Sequence, residues 1–331
     1  MFTCGGRRVA LLKAFRDAMA ELGLAGRLYV TDVTDTSPAY YAADEGLIVP
    51  QVGTLDYIPA VLRLVERLGV RLIVPLTDLD LRSLARQQDK FQQLGCTVMV
   101  GTEEAVTLCR DKTRINDTFE RAGVKHIQTC TLAEFHKAPF FPCFVKPTCG
   151  SASVGAAVVN NGEELKAHVT VHGDQLIVQQ YIHGPEYTID IYRTRAGQVK
   201  CVVPRQRLLI RSGEVEKGVT VKDEALIADA ARLAGQVEGL WGVFCCQCKR
   251  DQHGVARFFE VNARFGGGAT LSIAAGANLP LYLIQDVLGM PVTAQIGNFT
   301  DRLLMMRYDQ AVFRQVEDPS KLPGYRQPFG R

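Results

Sequence analysis

Over its first hundred residues the chain switches repeatedly between short apolar runs and stretches with helical spacing. That alternation limits the fold more than any other feature. The stub "MFTC" leads through Gly5 and Gly6 into a segment with Val9, Leu12, Phe15, Met19 and Leu22 on one stripe, ending near Gly23. "RLYVTD" reads as the next strand and "EGLIVP" as another. Tyr57, Ile58, Val61, Leu62, Val65 and Leu68 mark the inner side of a second helix. The strand "RLIVP", a helix from Leu79 to Leu94 and the strand "TVMV" complete the series. Strands separated by helices need crossover connections, so a mostly parallel, Rossmann-like sheet is expected over residues 1–103. The opening stub is short for such a strand, which reads as a chain that has lost residues upstream. The dinucleotide fingerprint G-x-G-x-x-G is missing, because "CGGRRVA" has other spacing. This disfavours a nicotinamide-dependent oxidoreductase.

From Glu103 the pattern changes. "EEAVTLCRDKTRINDTFERAGV" reads as one helix or two in sequence, with Lys112 on it. "FFPCFVKPTCGSASVGAAVV" gives an apolar strand, a Gly/Ser-rich turn and a second strand. A helix near Glu163–His168 and the strands of "DQLIVQQYIHGPEYTIDIYR" follow, broken at Gly184-Pro185. "PRQRLLIRSGEVEKG" reads as a polar loop, and residues 223–239 as a helix. "WGVFCCQCK" and "VARFFEVNAR" form a hairpin around "RDQHG", and a last helix runs from about Ala277 to Leu288. Residues 311–331 read as a weakly structured tail.

Bulk properties exclude several partners. A net charge of +3 with no Lys/Arg block argues against nucleic acid. No apolar run reaches the roughly 18 residues of a membrane span. The start lacks the basic, apolar and small-residue order of a signal peptide, so a cytoplasmic location is expected. Of ten cysteines, only Cys245, Cys246 and Cys248 cluster, without the repeated pairs of a zinc site, and they read as reduced structural thiols.

The chemistry-bearing residues are few. Lys146 ends an apolar strand and precedes "TCGSASVG", where small residues let backbone N–H groups approach a polyphosphate. In "FFEVNARFGGG", Glu260, Asn262 and Arg264 fall at every second position, so an extended strand places them on one face. Gln247 lies on the adjacent hairpin strand. One carboxylate and two amide oxygens suit magnesium on a triphosphate, and Arg264 beside them suits the charge of phosphoryl transfer.

In order, "RDKTRINDTFERAGV", "PCFVKPTCGSASVG", "VQQYIHGPEYTID", "PRQRLLIRSGEVEKG", "GVFCCQCKR" and "FFEVNARFGGG" resemble the ATP-grasp ligases. The resemblance is to carbamoyl-phosphate-synthase large-subunit-like proteins with a single ATP-grasp unit, and covers nearly all of residues 1–300. It implies an α/β plus α+β chain, a Rossmann-like parallel sheet followed by a two-subdomain ATP-grasp fold. The subdomains would be 104–183, with the lysines and phosphate loop, and 184–310, with the metal ligands. By resemblance, Lys112 and Lys146 hold the nucleotide phosphates, Lys146 also lying near adenine, and the loop 149–155, with Ser151 and Ser153, closes over them. "QQYI" matches the adenine hinge through Gln179, Gln180, Tyr181 and Ile182; Gln179 stands where many relatives have Glu. Glu186 matches the ribose acid. Gln247, Glu260 and Asn262 match ligands of two magnesium ions, for which manganese can substitute. Arg264 and Lys146 match catalytic groups. "SGE" resembles a substrate-side loop, where Arg205, Arg207, Arg211 and Ser212 are candidates to hold a carboxylate.

The implied activity is an ATP-dependent carboxylate–amine ligase, taking a small acid and an amine or ammonia through an acyl phosphate, in a chain that pairs as a homodimer as relatives often do. A small-molecule kinase and a nucleotide-responsive regulatory module are the alternatives.

Overall fold

The computed structural model describes residues 1–148 and 155–322 of the 331-residue chain. Its contacts divide the described residues into two compact units, Met1–Met99 with 308–322, and Val100–Arg307.

The first unit is built on parallel strands β1 (Phe2–Thr3), β2 (Tyr29–Asp32), β3 (Glu45–Ile48), β4 (Leu72–Pro75) and β5 (Thr97–Val98), in the order β3-β2-β1-β4-β5. The apolar stripes read from the sequence face this sheet. Leu11, Leu12, Phe15 and Ala18 are buried on the helix Val9–Glu21, and Tyr57, Val61 and Val65 on Tyr57–Leu68. The single helix expected from Leu79 to Leu94 is two short ones, Leu81–Ala85 and Gln88–Gln93; Gln87 between them leaves the helical region at φ −116°. The turn after β1 is closed by the protein itself. Asp32 accepts the N–H of Gly6 at 3.0 Å and that of Val33 at 2.8 Å, so the carboxylate at the end of β2 serves its own loop.

The second unit holds two antiparallel sheets. The smaller comprises β6 (Thr129–Thr131), β7 (Cys143–Pro147), β8 (Ala157–Val159) and β9 (Leu176–Gln180), in the order β6-β9-β7-β8. Leu132, Phe135, Cys143, Val145, Val159, Leu165 and Val178 form its core. The larger comprises β10 (Glu186–Arg193), β11 (Val199–Arg211), β12 (Glu214–Thr220), β13 (Gly242–Arg250), β14 (Ala256–Asn262) and β15 (Leu304–Met306), in the order β14-β13-β10-β11-β12-β15. One face of this sheet is covered by the helix Glu224–Gln236, which is capped by Asp223 and buries Leu226, Ile227, Ala230, Leu233 and Ala234. Each fully buried leucine of such a face contributes about 1.5–3 kcal/mol. On the other face, Ser272 and Asp286 from the helices Ala269–Ala274 and Leu279–Val287 bond Asp190 and Tyr192. Those helices cover the Asp190–Tyr192 half. The Glu186 half of that face remains half-exposed.

Two sequence expectations change here. "PRQRLLIRSGEVEKG" is a strand hairpin, β11–β12, not a loop. It turns at Ser212 and Gly213, both at positive φ (50° and 78°), as a two-residue hairpin turn requires. Arg205 and Arg207 misled because their charges point inward onto Asp190 and Glu186 of the neighbouring strand. Lys112 is not helical either. It stands in the turn between the helices Glu103–Arg110 and Ile115–Arg121, where Asp111 accepts the N–H groups of Thr113 and Arg114. No helix among the described residues is long and apolar enough to cross a membrane.

The glycine turn of the first unit carries a steric demand. A Cβ at Gly5 would lie 2.3 Å from Val30 Cγ1 in the buried middle of β2. Gly5→Ala is expected to destabilise the protein by about 1–3 kcal/mol in urea denaturation, and adding Val30→Ala to restore part of that loss.

Candidate functional site

Directly opposed residues in an antiparallel ladder share a face, and the register of the larger sheet sorts the candidates accordingly. Arg207 opposes Glu186, which opposes Lys249 on its other side. In the next row Arg205 opposes Thr188, Thr188 opposes Gln247, and Gln247 opposes Glu260. Asn262 opposes Cys245 one row further on. All lie on the half-covered face. The sequence alternation through Glu260 and Asn262 is therefore real, but it is interrupted just upstream. Gln247 faces Glu260 while Cys248 faces Phe258, so Phe259 is an extra, bulged residue. The bulge places its ring under the Lys146 ammonium, 5.6 Å away. Nothing in the sequence marks this bulge.

Lys146 comes from the smaller sheet. Burial above all holds its pKa down at about 8; Glu260 and Glu186 oppose the shift and Lys112 adds to it. Lys112, Lys146, Glu186 and Glu260 are therefore electrostatic neighbours, drawn from two sheets and an interhelical turn.

The polar groups between them are closely partnered. Arg207 donates from Nη1 to Glu186 Oε1 at 2.5 Å, and Lys249 Nζ lies 3.9 Å from Glu186 Oε2. The Gln247 amide is satisfied with its nitrogen donating to Glu260 Oε2 (2.9 Å) and its oxygen accepting from Arg207 Nη1 (3.3 Å). Glu260 Oε1 keeps no hydrogen-bond partner among the described residues. Asn262 Oδ1 accepts from Arg264 Nη2 at 3.3 Å, which holds the arginine beside the amide.

At the "QQYI" segment, Gln179 is buried and donates to Thr129 Oγ1 at 2.9 Å, so its amide belongs to the seam of β6 and β9. The N–H of Gln180 goes to Gln128 and that of Tyr181 to Pro142. The N–H of Ile182 has no partner among the described residues. Lys249 lies over the Tyr181 ring at 5.7 Å. Ser151 and Ser153 lie outside the described residues. At the two ends of their loop, Thr148 bonds Gln175 and the Gly155 carbonyl meets His168 Nε2 at 3.1 Å.

The remaining candidates separate from this group. Arg205 is buried beneath the loop 266–268, gripped by Asp190 at 2.7 and 2.9 Å, with Ser272 donating to the same carboxylate. A Cβ at Gly268 would lie 2.4 Å from Arg205 Nη1, and one at Gly266 2.9 Å from Asp190 Oδ1. The glycine run after Arg264 thus exists to lie on an ion pair. Arg211 is half-exposed and pairs with Glu216 at 3.2 Å, and Ser212 sits at the exposed hairpin tip. Sequence reasoning missed Lys249 and Phe259, and the Ser-Gly pair at the β11–β12 turn was the available signal for the hairpin.

Three family profiles match the chain. "ATP-grasp in the biosynthetic pathway with Ter operon" matches residues 172–311, "PylC-like, N-terminal domain" residues 1–99, and "D-ala D-ala ligase C-terminus" residues 116–210. A D-alanine–D-alanine ligase of Pseudomonas putida (strain GB-1) is 34% identical over 104 residues, 29% of this chain and 32% of that protein. The same-named protein of Pseudomonas entomophila (strain L48) is 35% identical over 106 residues, with the same shares. The chain therefore spans about a third of the length of the curated relatives it matches. Among solved structures, a biotin carboxylase–β,γ-ATP complex from Campylobacter jejuni superposes with a TM-score of 0.73 at 18% identity, over 92% of this chain and 73% of that one. An N5-carboxyaminoimidazole ribonucleotide synthetase from Thermus thermophilus does so at 0.69 and 19%, over 92% and 81%. At these identities the likeness is one of fold.

The buried pair predicts its own test. Arg205→Met strands Asp190 and is expected to cost about 3–5 kcal/mol in thermal or urea melts, whereas Arg205→Met with Asp190→Leu recovers most of it.

Proposed function

We propose, on the premise that this chain is an ATP-grasp protein, that it is a stand-alone ligase using ATP to join a small carboxylic acid to an amine or ammonia. The observation that carries this reading is the approach of Lys146, from the smaller sheet, to Phe259 and Glu260 of the larger. Two cations, one from the smaller sheet and one from an interhelical turn, and an acid from the larger sheet suit a polyphosphate clamped between them.

In this reading Lys112 and Lys146 hold the phosphates, and the free N–H of Ile182 donates to a ring nitrogen of adenine. Glu186 takes the ribose hydroxyls. Glu260, Asn262 and Gln247 offer one carboxylate and two amide oxygens, a donor set that fits magnesium, which draws its other oxygens from phosphate and water. Magnesium bound there supplies positive charge against the phosphate oxygens. Arg264, steadied by Asn262, faces the phosphoryl group in transfer.

The chemistry needs no protein nucleophile, because alignment and charge neutralisation supply most of the effect. A carboxylate oxygen of the substrate bonds to the γ-phosphorus as the bond to ADP breaks. The amine nitrogen then attacks the acyl carbon, phosphate leaves with the bonding pair, and the nitrogen gives up a proton. Arg205, buried on Asp190, braces the loop behind Arg264 in this scheme.

The decisive experiment is a phosphate-release screen with Mg-ATP against acids crossed with amines. Release only when both are present is the expected result; a phosphorylated product that accumulates without amine would instead favour a kinase. Glu260→Gln and Lys146→Ala are each expected to lower turnover by at least about 100-fold while the melting temperature holds.

Lys146 also gives a pH dependence. Its pKa of about 8 means the ammonium that grips phosphate is present below that pH and lost above it. Affinity for MgADP, followed by titration calorimetry, is expected to be level up to about pH 7.5 and to weaken through pH 8–9. Lys146→Arg keeps its charge and should flatten that fall.

A further inference from the structure

We infer that Arg207 is a positioning residue that sets Glu186 and Gln247 for the nucleotide and ties both to the turn at Ser212-Gly213. This rests on the nucleotide-binding reading of the site and assigns Arg207 a different task from gripping a substrate carboxylate.

The geometry leaves little of Arg207 for a substrate. Its side chain is 8% exposed. Nη1 serves Glu186 Oε1 and the Gln247 amide oxygen, and Nη2 donates to the Gly213 carbonyl at 2.8 Å. Both outer nitrogens of the fork are committed, while Nε is buried without a partner. A guanidinium held in this way cannot present its bidentate edge to an incoming carboxylate.

The same contacts decide what its neighbours present. An amide can turn either end toward a neighbour, and Gln247 stands between an acid, Glu260, and a cation, Arg207. Only one orientation satisfies both, with nitrogen toward the acid and oxygen toward the arginine. The oxygen's second lone pair remains available to a metal ion. Removing the arginine removes the group that fixes this orientation. Glu186 is treated similarly. Arg207 pins Oε1, while Lys249 stands 3.9 Å from Oε2, beyond hydrogen-bond reach. Oε2 is left as the acceptor for a sugar hydroxyl. A lysine at 207 has no planar fork, so it cannot hold the acid, the amide and the turn carbonyl together in this geometry.

The test measures binding of ADP and 2′-deoxy-ADP to the full chain by titration calorimetry across a magnesium series, for wild type, Arg207→Gln, Arg207→Lys and Glu186→Gln. Wild type is expected to prefer ADP by about tenfold, the effect of one hydrogen bond to a charged acceptor. In Arg207→Gln that preference falls to within about twofold and half-saturation moves to several-fold higher magnesium, with Arg207→Lys intermediate. Glu186→Gln abolishes the preference, and adding Arg207→Gln to it lowers it no further.

Equal weakening of both nucleotides in Arg207→Gln, with the ratio and magnesium midpoint unchanged, would reduce the arginine to a structural ion pair and overturn the inference. Unchanged binding would overturn it too. If Arg207→Gln does not fold, Arg207→Lys is judged by the same ratio and midpoint. Wild-type protein that binds neither nucleotide would sink the nucleotide reading itself, and this inference with it.

Discussion

The strand register of the larger sheet is the constraint on which the site depends. Opposed residues of antiparallel strands project to the same side, so the pairings Arg207–Glu186–Lys249 and Arg205–Thr188–Gln247–Glu260 fix which polar groups meet before any side chain chooses a rotamer. A one-residue slip of β10 would send Glu186 and Asp190 into the face packed by the helix Glu224–Gln236. Tyr187, Ile189 and Ile191, which fill that face, hold the register by burial. The apolar side of the sheet thereby positions the polar side.

That polar side carries a cost the fold has to offset. Arg205 and Asp190 are both essentially removed from solvent, and desolvating two charges can outweigh their attraction. The structure reduces the cost with a bidentate contact, a hydroxyl from Ser272 and a glycine run that lets backbone lie against the guanidinium. Hydrophobic residues of similar volume would hold the sheet as well. They would not set the height of the chain between Arg264 and the helix Ala269–Ala274, and the ion pair does.

Much of this was legible in the sequence because it follows from local periodicity. The helical stripes of the first hundred residues and the two-residue repeat through Glu260 and Asn262 translate directly into faces, whereas Arg264 lies past the end of β14. What escaped depends on partners far along the chain. Arg205 and Arg207 look like a solvated basic stretch until Asp190 and Glu186 are set opposite them. The bulge at Phe259 has no composition signal, since it shows only once β13 and β14 are set in register. Lys112 reads as helical because its neighbours on both sides are; Asp111, which ends the first helix and accepts the N–H groups of Thr113 and Arg114, breaks the run. Gln179 looks like a weakened hinge residue, yet its amide has a dedicated acceptor in Thr129, fifty positions away.

The charge balance around Lys146 connects this architecture to its use. Lys112 and Lys146 repel one another, and Lys146 is driven toward its neutral form chiefly by burial. Nearby Glu260 outweighs that repulsion and Glu186 adds to its effect, but neither offsets the burial; Glu186 is also shared by Arg207 and Lys249. What depresses Lys146 is thus lost hydration more than a neighbouring cation. An anion set against Lys146 would favour its protonated form and raise its pKa again. By linkage, the coupling through which such an anion raises the Lys146 pKa equals the coupling through which protonation of Lys146 strengthens the anion's binding. In the proposed reading, contact with phosphate therefore makes up for the hydration that Lys146 loses on burial.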